Sequence, residues 1–342
     1  MKRAVLIALS LVVIVATAVL AGKPGPPPPS GPRDLVYGSE TNVSGDLTLV
    51  QASGADGYVV YTAPEHPHYP RFPDWSHDGK YISFNYYALE GRVLQVATGK
   101  TCTLYGSHGT SPQSMEFHPS FGEGIGDGHY VVAFTNWNNE SYDLYFVEFK
   151  FQEGTCAVQW SPNVTGADLG EWGAAWSPIG TAQSTRLATM LHTGLYDARL
   201  RIYDVVADAT GHLALAGTYV DYELDSSLYY PAGFGGGTGA SVQWSPDPNR
   251  LGILAKWSPD GGTTKYSDVY EIDISTNPPV MTNLTNTAAD EFYFDFRANG
   301  DGIVAGNTDG IWLFPAYGDP VRVAAPGRKK WPRDPAWNPT RW

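Results

Sequence analysis

Lysine and arginine are scarce in this chain: 22 of them stand against 35 aspartates and glutamates, giving a formal charge of −13 over 342 residues. A surface this acidic repels nucleic acid and anionic lipid headgroups, so neither is an expected partner. Cysteine is almost absent, with only Cys102 and Cys156, which excludes a paired CxxC metal site. After Ala21 no apolar run approaches membrane length, and no long 3.6-residue periodicity marks an extended helix. Catalytic signatures are missing too. There is no Gly-x-Ser-x-Gly elbow, no HExxH helix, no Walker loop and no EF-hand loop, so the serine-peptidase and nucleotide-binding classes fall away.

What is present begins with Met1-Lys2-Arg3 and the apolar run Ala4 to Ala21. This pattern reads as an export signal over residues 1–21, with Val19 and Ala21 in the small positions before a cut at Gly22. Its length also suits an uncut N-terminal anchor. No cysteine follows directly, so a lipid-anchored form is not expected. Residues 22–32, with Pro24 and Pro26 to Pro29, form a stiff extended spacer. No second linker follows, so residues 33–342 read as one domain, a monomer working in the periplasm or secreted.

Glycine (38), proline (26), tyrosine (21) and tryptophan (11) give that domain an all-β character. An aromatic followed by a tight turn and an apolar strand recurs at Trp75-Ser-His-Asp-Gly, Trp176-Ser-Pro, Trp244-Ser-Pro-Asp and Phe296-Arg-Ala-Asn-Gly, with fainter copies at Phe117-His-Pro and Trp337-Asn-Pro. The shortest interval between markers fits four short strands with turns, the size of one propeller blade. Three apolar strands follow each of the first five markers. The sixth marker, Trp337, has only the chain end after it, while Leu35–Tyr37, Leu47–Val50 and Tyr58–Tyr61 have no marker before them. One C-terminal strand and three N-terminal strands therefore complete a sixth blade, which removes the open sheet edges. The expected fold is an all-β, six-bladed β-propeller.

Finer expectations follow from this phasing. Ser, Pro and Asp should set the tight turns and Gly should take positive φ. Trp160 and Trp257, which are out of phase, read as turns within blades. Asp221 to Gly239 reads as an insertion between blades three and four. Cys102 and Cys156 fall on the outer strands of successive repeats, expected to lie too far apart for a disulfide, although an exported pair invites one. The sequons at Asn42, Asn139, Asn163 and Asn283 carry no functional reading.

The stretch Pro73-Asp74-Trp75-Ser76-His77-Asp78-Gly79-Lys80, the Asn283-Leu284-Thr285 lead through Asp290 to Phe296, and the Asp-x-Tyr strands at Asp143 and Asp268 resemble the TolB-type propeller repeat. The resemblance implies the propeller over residues 33–342. TolB proteins carry an additional α/β domain ahead of their propeller, and here a Pro-rich spacer occupies that place. Related propellers serve as protein-binding platforms, as the non-catalytic half of peptidases, or as metal-dependent lyases.

Three groups are candidate sites. Residues one place before each marker, Asp74, Glu116, Ala175, Gln243, Asp295 and Ala336, should approach the axis. There Asp74, Glu116 and Asp295 could hold a channel cation, no other cofactor being expected. Upstream, His66, His68, Tyr69 and Arg71, then Glu171 and Trp172, then Glu291, Phe292 and Tyr293, and finally Trp331 and Arg333 should form a rim. Aromatics mixed with charges suit a protein segment or a glycan. Histidines 66, 68, 118 and 129 are the third group, a transition-metal alternative. The leading reading is an exported, non-catalytic propeller binding an envelope or extracellular protein segment or a glycan at the channel rim. A metal-dependent polysaccharide lyase or hydrolase and a purely structural envelope module are the alternatives.

Overall fold

The computed structural model describes residues 34–340, except 42–44, 51–56, 64–69, 87–89, 107–111, 120–128, 138–141, 153, 161, 166–169, 182–183, 195–196, 231–241, 258–265, 317 and 327–329. The leader, the spacer, His66, His68, Tyr69 and the sequons at Asn42 and Asn139 lie outside the described residues.

Three strands open the domain, β1 (Leu35–Thr41), β2 (Gly45–Val50) and β3 (Tyr58–Thr62). Blade one is β4 (Pro70–Trp75), β5 (Tyr81–Tyr86), β6 (Glu90–Gln95) and β7 (Lys100–Gly106). Blade two is β8 (Pro112–Phe117), β9 (His129–Trp137), β10 (Tyr142–Gln152) and β11 (Thr155–Trp160). Blade three is β12 (Glu171–Trp176), β13 (Ser184–Gly194), β14 (Asp197–Ala207) and β15 (Leu213–Glu223). Blade four is β16 (Val242–Trp244), β17 (Arg250–Trp257), β18 (Tyr266–Asp273) and β19 (Val280–Asn283). Blade five is β20 (Glu291–Phe296), β21 (Gly302–Asn307), β22 (Gly310–Pro315) and β23 (Val321–Ala324). The last strand, β24 (Lys330–Trp337), pairs antiparallel with β1 and so completes a sixth sheet in the order β24-β1-β2-β3. The six four-stranded sheets form the expected ring, closed by one C-terminal and three N-terminal strands.

Burial shows why the ring is needed. The core falls into clusters that each join two neighbouring sheets. One joins Leu47 and Leu49 to Trp75, Ile82 and Phe84, another Val93 and Leu104 to Met115 and Tyr130, and another Phe146 to Trp176 and Tyr203. Met190 and Leu200 meet Trp244 and Ile253, Val269 meets Phe294 and Ile303, and Ile311 meets Tyr37 and Trp337. No blade buries both faces alone, so apolar surface is removed from water only when neighbours stack. The fit is close: a Cβ on Gly252 would collide with the Phe294 ring, and one on Gly91 would lie 2.7 Å from the Met115 sulfur.

The marker turns use the expected chemistry. Ser76 Oγ accepts the Tyr81 N–H at 2.9 Å, the Gly79 N–H reaches the Ser76 carbonyl at 2.8 Å, and Gly79 sits at φ 68°. Three finer expectations change. Trp160 and Trp257 end strands β11 and β17 and do not form turns. Strand β15 runs on to Glu223, because Arg201 clamps Asp221 through two contacts of 2.7 Å and lies 3.8 Å over the Tyr219 ring. Beyond it Tyr230 is fully buried, so the start of the supposed insertion packs into the interface of blades three and four. Finally, Cys102 on β7 and Cys156 on β11 form a disulfide across blades one and two, with Cα atoms 5.5 Å apart. Both cysteines pack in the shared core of those blades, where the outer strands meet instead of splaying apart.

Each inner strand except the short β16 carries a register shift just before its marker. Three places before the marker stand Phe72 (φ 49°), Gly173 (φ 68°) and Asp334 (φ 48°). Positive φ is strained for the two side-chain-bearing residues, and a bulge of this kind re-aims the residues that follow it. Here those residues are the ones that reach the axis.

Candidate functional site

A cavity of about 440 Å³ opens at the end of the channel where the inner strands finish. Its construction follows the repeat. All six markers line it: Trp75, Phe117, Trp176, Trp244, Phe296 and Trp337. So do the residues two places after them, His77, Pro119, Pro178, Pro246, Ala298 and Pro339, and three of the residues one place before, Asp74, Glu116 and Asp295. Aromatic and proline walls thus surround an acidic floor. No lysine or arginine lines it among the described residues; Arg186 and Arg297 instead lie against the rings of Trp244 and Trp337, at 5.2 and 4.9 Å.

Two of the floor carboxylates clasp the next blade. Asp74 Oδ2 accepts the Phe117 N–H at 2.7 Å. Asp295 Oδ2 accepts the Trp337 N–H at 2.6 Å, while its Oδ1 takes the Phe296 N–H at 2.7 Å. Gln243, at the same place in blade four, donates to the Tyr293 hydroxyl at 3.0 Å. Glu116 is different. The Trp176 backbone N–H and the Gln243 amide favour its ionised form, yet its Oε1 is buried with no hydrogen-bond partner among the described residues.

Burial in the narrow channel pushes all three carboxyls up, because it penalises the charged form. Asp295 rises to about 7 against its two N–H donors. Asp74 rises well above the usual carboxylate range, from burial and then the Asp295 charge. Glu116 does the same, from burial, Asp74 and Asp295. Among the described residues no three His, Cys, Asp or Glu side chains are grouped to hold one metal ion. The three floor carboxyls share a cavity without forming such a group.

Four of the upstream residues expected on a rim, Glu171, Trp172, Glu291 and Tyr293, are buried. Glu171 is fully buried and accepts from the Tyr203 hydroxyl at 2.8 Å and from Thr165 at 3.0 Å. Trp172 is buried against Tyr142, ring centroids 3.9 Å apart. Glu291 is fully buried, takes the Thr287 hydroxyl at 2.8 Å, and is pushed up to about 8, mainly by burial. Tyr293 is buried against Phe72 at 5.5 Å. Arg71 Nε pairs with buried Asp334 at 3.1 Å, joining the inner strands of blades one and six. Trp331 and Arg333 lie on β24, paired with Glu40 and Gly38. Glu171, Trp172, Glu291 and Tyr293 therefore hold blades together instead of presenting an open rim, because the first half of each inner strand runs inside the interblade packing. Of the four candidate histidines, His118 and His129 are among the described residues. His118 is buried edge-on to Trp176 at 4.7 Å, and burial drives it down to about 3, so it stays neutral. His129 and His212 both contact Glu148, at 3.4 and 2.7 Å.

Two sequons have a structural explanation. Asn163 donates to Asp143 and Asn283 to Asp268, both at 2.8 Å, while Thr165 and Thr285 accept the Leu144 and Val269 N–H groups. The Asp-x-Tyr strand and the Asn-x-Thr segment are two halves of one hydrogen-bonded lock, repeated at two blade junctions.

Sequence reasoning missed the markers and the positions two places after them as cavity residues. The signal was the repeat itself, since equivalent positions on a closed ring must face one axis.

No protein-family model matches the sequence, and neither does any curated protein sequence. The solved structure of a protein assigned as TolB from Agrobacterium tumefaciens is similar, with 14% identity and a TM-score of 0.51, over 90% of this chain and 99% of that one. At that identity the likeness is one of fold, and the chain is a six-bladed β-propeller similar to the TolB propeller.

Proposed function

We propose that this protein is an exported, non-catalytic propeller that binds a segment of another protein at the aromatic mouth of its axial channel. The observation that carries the reading is the cavity to which every blade contributes one aromatic. Aromatic walls supply large, rigid contact area at little entropic cost. The apolar leader and the Cys102–Cys156 disulfide support a site outside the cytoplasm, where such bonds persist. The TolB likeness supports an interaction role by analogy of fold.

The test is selection of displayed peptides on the full-length protein, with Pro178→Arg and Tyr219→Ala as comparison proteins. Pro178 is exposed and lines the mouth, whereas Tyr219 is exposed on the outer strand β15. Enriched peptides should lose binding to Pro178→Arg and keep it with Tyr219→Ala. Peptides that bind Pro178→Arg undiminished, or no enrichment at all, would overturn the reading.

A further inference from the structure

We infer that the mouth selects a lysine or arginine side chain of the bound segment, its aliphatic stem against the aromatic and proline walls and its charged head at the Asp74–Glu116–Asp295 floor. This rests on the reading of the mouth as a protein-binding site and names what that site recognises.

Three observations point the same way. The cavity concentrates three carboxyls and lacks any lining lysine or arginine among the described residues, so a cation from a bound segment would meet no like charge there. Asp74 and Asp295 already accept backbone N–H groups, whereas Glu116, which also lines the cavity, has a buried Oε1 with no hydrogen-bond partner among the described residues. A buried acceptor left without a donor is costly, and a donor that also carries positive charge relieves that cost and the mutual repulsion of the floor together. Four prolines and six aromatics match methylene stems and the face of a guanidinium. The formal charge of −13 adds long-range attraction for a basic segment.

His77 is the remaining titratable group that lines the cavity, and the Tyr293 hydroxyl faces the floor from behind through Gln243. A bound cation favours ionised carboxyls, so binding should release protons near neutral pH.

The experiment uses the full-length protein and short, end-blocked peptides that differ only in a central lysine, arginine, norleucine or glutamate, measured by calorimetry. Lysine or arginine should bind about tenfold or more tighter than norleucine, and glutamate should not bind. Glu116→Gln, which keeps the side-chain shape, should weaken the cationic peptides by about tenfold and leave norleucine unchanged. A readout on the unaltered protein covers the case in which that variant does not fold: raising salt from about 50 mM to about 500 mM should weaken the lysine peptide and not norleucine. Equal binding of norleucine and lysine, unaffected by salt, would overturn the cation inference and leave mouth binding standing. Tighter binding of neutral oligosaccharides than of any peptide would overturn both. If none of these peptides bind while segments selected by display do, the cation inference alone falls.

Discussion

The two ends of the inner strands are built from the same residue types and behave differently. Where the strands begin, Glu171, Trp172, Glu291 and Tyr293 are carboxylates and aromatics, all buried and engaged with threonine, tyrosine or aromatic neighbours. Where they finish, Asp74, Glu116, Asp295 and the six markers are again carboxylates and aromatics, but they line a cavity. Residue type therefore does not distinguish a lock from a site. What separates them is whether the side chains line a cavity.

The largest expected effect tests that division directly. Trp172→Ala should cost about 3–5 kcal/mol of stability, as for a large buried aromatic, and should leave mouth binding per folded molecule unchanged. By contrast, the exposed mouth residue His77, changed to alanine, should shift stability by no more than about 0.5 kcal/mol. Denaturant titration of both variants checks the pair, and a neutral Trp172→Ala would return that residue to the candidate binding surface.

Next in size is the disulfide, which lies at the periphery, away from both ends. Replacing Cys102 and Cys156 by serine should lower stability by about 2–4 kcal/mol without changing affinity at the mouth. A change in affinity would mean that the periphery tunes the cavity. Gly252→Ala should follow at about 1–3 kcal/mol, because its methyl would press on the Phe294 ring in the blade interface behind the wall. Thermal melting beside an affinity measurement separates packing from recognition.

The smallest effect is pH. Glu291 at one end is raised to about 8 and Asp295 at the other to about 7. A carboxyl raised in the folded state holds its proton more tightly there, so stability falls as pH rises. The loss begins above the unfolded carboxylate value and continues through about 7 for Asp295 and about 8 for Glu291. The melting temperature should therefore decline from about pH 5 to about pH 8, and Glu291→Gln should remove the upper part of that decline. A melting temperature that rises over this range would contradict the burial argument at both ends.

Most of the architecture was legible in the sequence because the marker recurs and the missing strands balance between the termini. A marker at Trp337 without strands of its own and strands from Leu35 without a marker of their own were enough to close the ring. Asp74, Glu116 and Asp295, each one place before its marker, were also legible as axial. The cavity mouth was not, because Pro178 and Pro246 look like ordinary turn residues until the ring places them around one opening. Nor was the burial of Glu171 and Glu291, which depends on interblade packing that a linear pattern does not express. The disulfide needed the actual approach of β7 and β11, a matter of a few ångströms that spacing along the chain cannot fix.

The pairing of β24 with β1 has a kinetic consequence. Blades one to five each use consecutive strands and can assemble from local hairpins as the chain emerges. The sixth blade cannot be completed so: β1 to β3 pair in sequence, but the inner partner of β1, Lys330–Trp337, is the last described strand. Long-range pairing of this kind is slow, since a large loop must close before any contact rewards it. Without β24, Leu35 and Val36 lack their strand partners Trp337 and Ala336, and the mouth lacks Trp337. The cavity at the channel mouth is thus complete only once the two ends of the domain have met, so closure of the ring and completion of the mouth are one event.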